Sequence, residues 1–337
     1  MLFLAIETSC DETAAAVFTD EPRILSNVIA SQTELHTRFG GVVPEVAARA
    51  HLQRLIPVVD ESLKTAGVTL KDIGCIAVHN TPGLVGALLV GVSAAKMFSV
   101  ALDVPLIAVN HIEAHIYAAR LATERDIFPC VGLVVSGGHT ALFHCHDPLK
   151  LELLGSTRDD AAGEAFDKVA QILGLGFPGG PAVDREAAAG DPKAFRFPRS
   201  LMEPGNLDFS FSGLKTAVLY AVLGQNRTAG APPTGQKRAD AAASFQKAVV
   251  DVLVEKSRRA LEKTGLKRLA VGGGVAANRA LRAALAETVA GVGGELFIPP
   301  LDLCTDNAAM AALAVEKWRR GDFAPLDLDA VPNLAFS

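Results

Sequence analysis

The order of predicted elements, which occurs twice along the chain, constrains the fold more than any other feature. A short apolar strand over residues 2–6 ends in a small polar turn, and two further strands follow at 14–18 and 24–30. A second apolar strand at 131–135 again ends in small polar residues and is followed by two strands. Short turns between strands form an antiparallel meander, and a repeated order of elements indicates a repeated structural unit. The pattern predicts an α/β protein with two similar lobes.

Composition limits the class of protein. The 337 residues correspond to two domains, since a domain has about 100–200 residues. Hydrophobic residues make up 50% of the chain, which allows a large core, and the net charge of -5 does not indicate a nucleic-acid surface. Five cysteines without a C-x-x-C pair indicate a reducing compartment. With no targeting signal, and with the longest apolar run (84–95) short of the about 20 residues of a membrane span, we expect a cytoplasmic protein.

The segment 110–115 contains a pattern that is typical of metal binding. His111 and His115 are four residues apart in a predicted helix that Asn110 would cap. Side chains at this spacing share one helix face, with Cβ atoms about 5–6 Å apart, a chelating distance for one metal ion. Glu113 points away from that face and is badly placed as the general base of a zinc peptidase. From the residues alone, a metal site and an ordinary pair of helix histidines are equal alternatives.

Acidic residues in two predicted turns have two interpretations each. Asp306 follows the apolar residues 296–300, and with two histidines it would complete a ligand set that suits iron(II) or zinc. From the residues alone, the favoured interpretation of Asp306 is the N-cap of a helix over 307–318. Asp11 and Glu12 follow the first strand, and they either contribute to an active site or close a hairpin.

Three segments rich in glycine could hold a phosphate. They are Ser136-Gly137-Gly138, Gly179-Gly180 and Gly272-Gly273-Gly274. Glycine lets backbone N–H groups approach a phosphate closely, and clustered N–H groups bind anions. The chain has no P-loop motif and no G-x-G-x-x-G after its first strand, which disfavours a dinucleotide-binding fold. The segments therefore predict a nucleotide site of another kind.

Four aspartates lie near these glycine segments. Asp167 and Asp184 flank the Gly/Pro-rich loop predicted at 174–180, where they would bind ribose hydroxyls or lie on a solvated helix surface. For Asp159 and Asp160, a solvated helix surface is the favoured interpretation.

Six segments of the chain together match the pattern of one known family. They are 6–13 (IETSCDET), 40–45 (GGVVPE), 110–115 (NHIEAH), 135–140 (VSGGHT), 208–215 (DFSFSGLK) and 272–278 (GGGVAAN). They span nearly the whole chain and resemble the TsaD family, also called Gcp or YgjD, of tRNA threonylcarbamoyltransferases. The resemblance implies the two-lobed actin-like ATPase fold of actin, sugar kinases and heat-shock chaperones, with a βββαβα core in each lobe. We expect an N-terminal lobe of 1–109 and 319–337, and a C-terminal lobe of 110–318 with the metal and nucleotide sites.

The resemblance also implies an activity and a set of site residues. The threonylcarbamoyl group of threonylcarbamoyl-AMP is transferred to N6 of adenosine 37 in tRNAs that read ANN codons, and AMP is released. His111, His115 and Asp306 would hold one divalent metal ion, with Fe2+ expected ahead of Zn2+, and Mg2+ could accompany the nucleotide. The implied adenylate-binding residues are Val134, Val135, Ser136, Gly137, Gly138, Asp167, Gly180, Asp184 and Asn278. Asp11 and Glu12 are the expected catalytic groups.

The implied partners resolve the difficulty that the acidic net charge poses for a tRNA enzyme. The family acts with a TsaB-like paralogue and a small TsaE-like ATPase, and the complex presents the surface for tRNA; no membrane is involved. Three alternatives stay open at this point. They are a metal-dependent peptidase, an ATP-dependent kinase or ATPase of the same superfamily, and a non-catalytic scaffold.

Overall fold

The computed structural model describes residues 1–21, 23–123, 125–224 and 231–333. The chain forms two compact units. Unit 1 comprises Met1–Glu124, Pro148–Lys150 and Thr305–Ser337, and unit 2 comprises Arg125–Asp147 and Leu151–Cys304.

Unit 1 is built on a five-stranded mixed sheet. Its strands are β1 (Leu2–Glu7), β2 (Glu12–Thr19), β3 (Ile24–Ser31), β4 (Ile73–Thr81) and β5 (Leu106–Asn110), in the spatial order β3-β2-β1-β4-β5. The first three strands are antiparallel neighbours, as the meander predicted, while β4 pairs in parallel with β1 and β5. Central β1 is buried along nearly its whole length, because helices cover the sheet and leave no polar face.

Four helices of unit 1 connect or follow these strands. They are α1 (Thr33–Thr37), α2 (Pro44–Ala66), α3 (Val85–Leu102) and α4 (His111–Leu121). Helix α2 begins with Pro44 and ends at Gly67, whose φ of 70° suits glycine. Among the described residues, α3 alone is long and apolar enough to cross a membrane. Core helices of soluble proteins pass the same test, and α3 packs against β4, so it carries no membrane assignment.

Unit 2 repeats this strand order with a second set of elements. Its strands are β6 (Cys130–Val135), β7 (Thr140–Asp147), β8 (Lys150–Ser156), β9 (Arg268–Gly272) and β10 (Glu295–Phe297), in the order β10-β9-β6-β7-β8. Its helices are α5 (Ala162–Leu173), α6 (Gly179–Ala187), α7 (Ser212–Leu223), α8 (Gly235–Thr264) and α9 (Arg279–Gly291). As in unit 1, the first strand pairs antiparallel with the second and parallel with the fourth. The repeat predicted from element order is therefore present in the fold.

After unit 2 the chain returns to unit 1. A 3-10 helix over Ala308–Leu313 packs against α4, β1 and β2, and α10 (Ala314–Arg319) follows it. The N-cap of the 3-10 helix is Asn307, whose Oδ1 accepts the N–H of Met310 at 3.2 Å. The interpretation of Asp306 as the cap of a helix over 307–318 is therefore wrong. Since Asn307 caps the helix, the carboxylate of Asp306 is available for other contacts.

The two units differ from the lobes expected from the sequence. Residues 110–124 and 305–318 were expected in the second lobe, whereas the structure groups them with unit 1. The reason is packing, because α4 contacts both the strand that precedes it and the 3-10 helix of the returning segment. All three expected metal ligands consequently lie in unit 1. Residues 334–337 of the expected N-terminal lobe lie outside the described residues.

Candidate functional site

Three ligand-type side chains of unit 1 come together at α4. The Nε2 atoms of His111 and His115 lie 3.5 and 3.2 Å from Oδ1 of Asp306, and the two imidazole centroids are 4.5 Å apart. The three ligand atoms all lie within 4.8 Å of one another. Metal–ligand bonds of about 2.0–2.2 Å in a tetrahedral site place neighbouring ligand atoms roughly 3.4 Å apart. The cluster therefore has the dimensions of a metal site.

The burial of these side chains also supports metal binding. His115 is fully buried, and neither of its ring nitrogens has a hydrogen bond of proper geometry to a described residue. A buried polar atom without a partner costs about 1–3 kcal/mol, whereas a metal ion would satisfy Nε2. Burial lowers the pKa of His115, which favours the neutral imidazole that metals bind.

The local sequence explains how α4 presents its histidines. The Asn110 side chain accepts the N–H groups of Ile112 and Glu113 at 2.8 and 3.3 Å, which fixes the first turn. Glu113 does not belong to the ligand cluster. Burial raises its pKa to about 7, and the charge that opposes this shift is Lys317. Its position agrees with the helical geometry that directs it away from the histidine face.

A buried carboxylate, Glu7, contacts His111 on the side of the ring away from Asp306. Its Oε2 is 3.2 Å from Nδ1 of His111 and 2.7 Å from Nδ1 of His79, and Ser9 Oγ lies 3.0 Å from the same His111 nitrogen. Burial acts to raise the pKa of Glu7, but His79 and His111 hold it well below its ordinary value. A carboxylate on Nδ1 orients Nε2 towards a metal.

Neither Glu7 nor His79 was among the site residues predicted from the sequence. A carboxylate that ends an apolar strand was the available signal for Glu7. His79 stands at the end of β4 without a motif, and nothing in its sequence context indicated this contact.

Asp11 lies in the turn between β1 and β2, and Glu12 is the first residue of β2. Burial raises the pKa of Glu12 to about 7, although Ser31 Oγ donates to its Oε1 at 2.8 Å. Burial also raises the pKa of Asp11, and the negative charge of Asp306 adds to the shift at both residues. The turn therefore does more than close a hairpin, because it holds two carboxyl groups within the electrostatic influence of the metal cluster.

A chain of buried polar side chains supports this turn. His51 donates from Nε2 to the Cys10 carbonyl at 3.0 Å, and its Nδ1 lies 3.3 Å from Gln32 Nε2. Gln32 Oε1 lies 3.3 Å from Nε2 of His36, and His36 Nδ1 accepts the N–H of Val43 at 3.3 Å. The network links the turn to the segment before α2, so two of the recognised sequence segments share one set of contacts.

In unit 2, the turn after β6 is shaped by a close helix contact. Ser136 N donates to the His139 carbonyl at 2.8 Å, and the Ser136 carbonyl accepts the N–H of Gly163 at 3.1 Å. A Cβ at Gly163 would lie 2.5 Å from that carbonyl oxygen, so only glycine allows α5 to begin here. Gly137 and Gly138 are exposed, with no atom within 4 Å of a Cβ position. The loop is therefore open to solvent at these two glycines.

The segment Gly179-Gly180 is not a loop, as was expected, but the first turn of α6. Asp167 Oδ1 accepts the N–H of Gly179 at 2.7 Å, and this bond fixes the start of a helix that glycine alone would disfavour. Gly180 has open space around its Cβ position. A helix N-terminus with exposed N–H groups favours an anion.

Asn278 connects α6, α8 and α9. Its side chain caps α9 through Leu281 N at 2.9 Å, and its Nδ2 donates to Gln246 Oε1 at 2.7 Å. The same Nδ2 lies 3.4 Å from Asp184 Oδ1, while Arg279 Nε donates to Asp184 Oδ2 at 2.9 Å. All nine expected adenylate-binding residues lie in unit 2. Those on β6, Val134 and Val135, are fully buried and can offer backbone groups only.

Asp159 and Asp160 are not simply solvated, as was favoured. Asp159 accepts hydrogen bonds from the backbone N–H of Phe211 and from the hydroxyls of Ser210 and Ser212, at 2.6 to 2.8 Å. It thereby fixes the start of α7. Asp160 Oδ1 lies 2.8 Å from Lys168 Nζ. Both side chains serve the local structure, which a surface pattern in the sequence does not reveal.

Comparisons with known proteins identify the same family that the six sequence segments resemble. A family model described as tRNA N6-adenosine threonylcarbamoyltransferase matches residues 23–313. A protein of that name from Rhodopirellula baltica is 51% identical over 346 residues, covering 99% of this chain and 97% of the relative. Another, from Symbiobacterium thermophilum, is 54% identical over 334 residues, covering 99% and 96%.

Solved structures resemble the chain in fold. Full-length HypF in the phosphate- and nucleotide-bound form has a TM-score of 0.62 at 13% identity, covering 96% of this chain and 56% of HypF. Component A of the (R)-2-hydroxyglutaryl-CoA dehydratase of Acidaminococcus fermentans has a TM-score of 0.54 at 15% identity, covering 94% and 98%. At such identities the similarity concerns the fold alone, and it confirms the predicted actin-like ATPase fold.

Proposed function

The chain belongs to the TsaD family of tRNA N6-adenosine threonylcarbamoyltransferases, and from this premise we propose how its residues perform the transfer. The reaction moves the threonylcarbamoyl group of threonylcarbamoyl-AMP to N6 of adenosine 37 in tRNAs that read ANN codons. N6 attacks the carbamoyl carbon, the bond from that carbon to the phosphate oxygen breaks, and AMP leaves. Because the donor is a mixed anhydride, the step needs no covalent intermediate on the enzyme.

The cluster of His111, His115 and Asp306 is the observation that carries the proposal. Two imidazoles and one carboxylate form a ligand set that suits Fe2+, our first choice, and Zn2+. A divalent ion held by these three residues would supply a Lewis acid for a phosphate or carbamoyl oxygen. Glu7 keeps Nε2 of His111 directed at the ligand position through its contact with Nδ1.

The glycine segments of unit 2 are proposed to bind the adenylate. Gly137 and Gly138 would direct backbone N–H groups to the phosphate, and the first turn of α6 at Gly180 would add its own. Asp184 and Asn278 would bind the ribose or the base. Since N6 of adenine is a weak nucleophile, positioning contributes much of the rate.

Glu12 is proposed to accept the proton that N6 loses, and Asp11 to support it. A general base acts best when its pKa lies near the working pH, and burial raises the pKa of Glu12 to about 7. Its Oε2 is buried without a hydrogen-bond partner among the described residues, so it is available to accept a proton. Mg2+ is expected to accompany the nucleotide.

Partners complete the proposal. We propose that the protein acts in the cytoplasm with tRNA, a TsaB-like paralogue and a TsaE-like ATPase, because a chain with net charge -5 needs help to present a tRNA surface. An apolar groove of about 460 Å³ between α2 and α3, with Leu52, Ile56 and Leu89 exposed, is the proposed contact surface for the paralogue.

A peptidase is not favoured, since Glu113 lies on another face of α4 and outside the group of His111, His115 and Asp306, where it is badly placed to act as the base that such an enzyme needs. A kinase or ATPase is equally unsupported by the names of the relatives.

Reconstitution tests the proposal. Threonylcarbamoyl-AMP, ATP, unmodified tRNA and both partner proteins are supplied with wild type, His115→Ala, Asp306→Asn or the control Glu113→Gln, and modified adenosine and bound metal are measured. We expect both cluster variants to lose metal and at least 100-fold in rate, while the control keeps both. Wild-type rates in both cluster variants would refute a metal-centred reaction.

A further inference from the structure

A second group of ligand-type side chains lies in unit 2, on β7 and β8. His144 and His146 are two residues apart on β7 and therefore project from the same face of the sheet. Glu152 lies on the neighbouring strand β8, with its Oε2 3.3 Å from Nε2 of His146. One ligand atom from each of the three side chains lies within 4.8 Å of the others.

The two imidazoles are stacked, with centroids 3.9 Å apart and an interplanar angle of 30°. Two protonated rings at this distance would repel each other, so the stack favours neutral imidazoles. Neutral imidazole is the form that binds a metal.

A simple ion pair does not account for the arrangement. His146 and Glu152 alone would form that pair, whereas His144 contributes a third donor on the same face. The site is also accessible, since the side chains of His146 and Glu152 are 36% and 64% exposed. Glu152 reaches the site from β8, the end strand of its sheet.

We propose that His144, His146 and Glu152 form a second metal site, for a divalent transition-metal ion such as Zn2+. Nitrogen donors from two imidazoles select Zn2+, Ni2+ or Cu2+ over Mg2+ and Ca2+, which prefer oxygen ligands. With three protein ligands, water completes the coordination. Adjustment of the side-chain torsions brings the ligand atoms from their present spacing to the roughly 3.4 Å of a tetrahedral ion. The site is independent of the transfer reaction and of its metal cluster.

Zinc stoichiometry tests the site. Metal-stripped full-length protein is titrated with Zn2+ by calorimetry, and His144→Ala and Glu152→Gln are compared with Lys150→Ala, an exposed control on the same hairpin. We expect two equivalents in the wild type and the control. The two ligand variants should weaken one equivalent at least tenfold and leave the other unchanged. Retention of both equivalents in His144→Ala would overturn the proposal, as would a wild type that binds only at the α4 cluster.

A second measurement separates the two sites. In Asp306→Asn, which removes a ligand of the α4 cluster, one equivalent of Zn2+ should remain and should disappear when His144→Ala is added. The imidazole Cε1–H signals of His144 and His146 should broaden at substoichiometric Ni2+ in this background. Unaltered signals would overturn the second site. If wild type instead binds no Zn2+ at the α4 cluster, that result would count only against the proposed transfer mechanism.

Discussion

Substitution of Gly163 by alanine should displace the loop 136–138, which is proposed to bind the adenylate, without changing any of the proposed adenylate-binding residues. Gly163 is the second residue of α5, and a Cβ there would lie 2.5 Å from the Ser136 carbonyl oxygen and 2.8 Å from Gly137 Cα. Ordinary contact begins at 3.4 Å, so the loop 136–138 must move by nearly 1 Å or the helix must start later. Gly213 is the matched control, because it is the second residue of α7 and has no atom within 4 Å of its Cβ position.

The magnitudes follow from two opposing effects. Overpacking costs about 1–3 kcal/mol, while alanine gains up to about 1 kcal/mol in helix propensity over glycine. Gly163→Ala should therefore be destabilised by about 0–2 kcal/mol, and Gly213→Ala should be neutral or slightly stabilised. A displacement near 1 Å in a group that positions a substrate can lower a rate by about 100-fold. We therefore expect AMP affinity to fall about 10- to 100-fold in Gly163→Ala and to stay unchanged in Gly213→Ala.

Calorimetric titration with AMP and urea denaturation of the same preparations provide the two readouts. We predict that the free energy of AMP binding falls by more than the free energy of unfolding. AMP affinity within twofold of wild type in Gly163→Ala would refute it, since the close approach of α5 to the loop would then have no role in nucleotide binding. An equal loss in Gly213→Ala would show that alanine at any helix start has this effect.

Three further outcomes are expected. Glu12→Gln should be more stable than wild type by a larger margin at pH 8 than at pH 5. The pKa of Glu12 is about 7 in the folded state against an ordinary 4.5, so wild type loses up to about 3 kcal/mol of its free energy of unfolding as pH rises through this range. Urea denaturation of both proteins at both pH values measures the margin, and an equal margin at each pH would contradict the prediction. His51→Leu removes the partner of the Cys10 carbonyl and should cost about 1–3 kcal/mol, measured by thermal unfolding, with His51→Gln recovering part of the loss. Ile56→Glu should weaken binding of the TsaB-like paralogue at least tenfold at an unchanged melting temperature, since Ile56 is 54% exposed; wild-type affinity would exclude the groove between α2 and α3 as the contact surface.

Local patterns were sufficient to predict much of the fold. The strands β1 and β6 follow from short apolar runs, and the bounds of α2, Pro44–Ala66, follow from the proline that begins it and the glycine that comes after it. Helix α6 was missed, since two glycines at its start have low helix propensity. The Asp167 hydrogen bond that fixes this start joins residues 12 positions apart, and a local pattern does not contain it.

The residues of the candidate site were likewise predicted where the pattern is local and missed where the contact joins distant residues. The spacing of His111 and His115 is local and periodic, so their shared face followed from the sequence. Asp306 stands far along the chain, and residue types alone favoured a helix cap that Asn307 provides instead. Glu7 reaches His111 across 104 positions, a contact that depends on the sheet register and has no sequence signature. For the same reason, the second lobe was predicted to begin too early, at residue 110, and to end too late, at residue 318.

The return of residues 305–319 to unit 1 has a consequence for biosynthesis. A nascent chain that has emerged only through α4 carries two of the three ligands, and Asp306 follows roughly 190 residues later. At about 5–20 residues per second, a ribosome needs about 10–40 s for that stretch. Chains that stop before Thr305 lack Asp306, the third of the proposed ligands. On the proposed ligand set, complete metal coordination would therefore require that translation has passed the whole of unit 2.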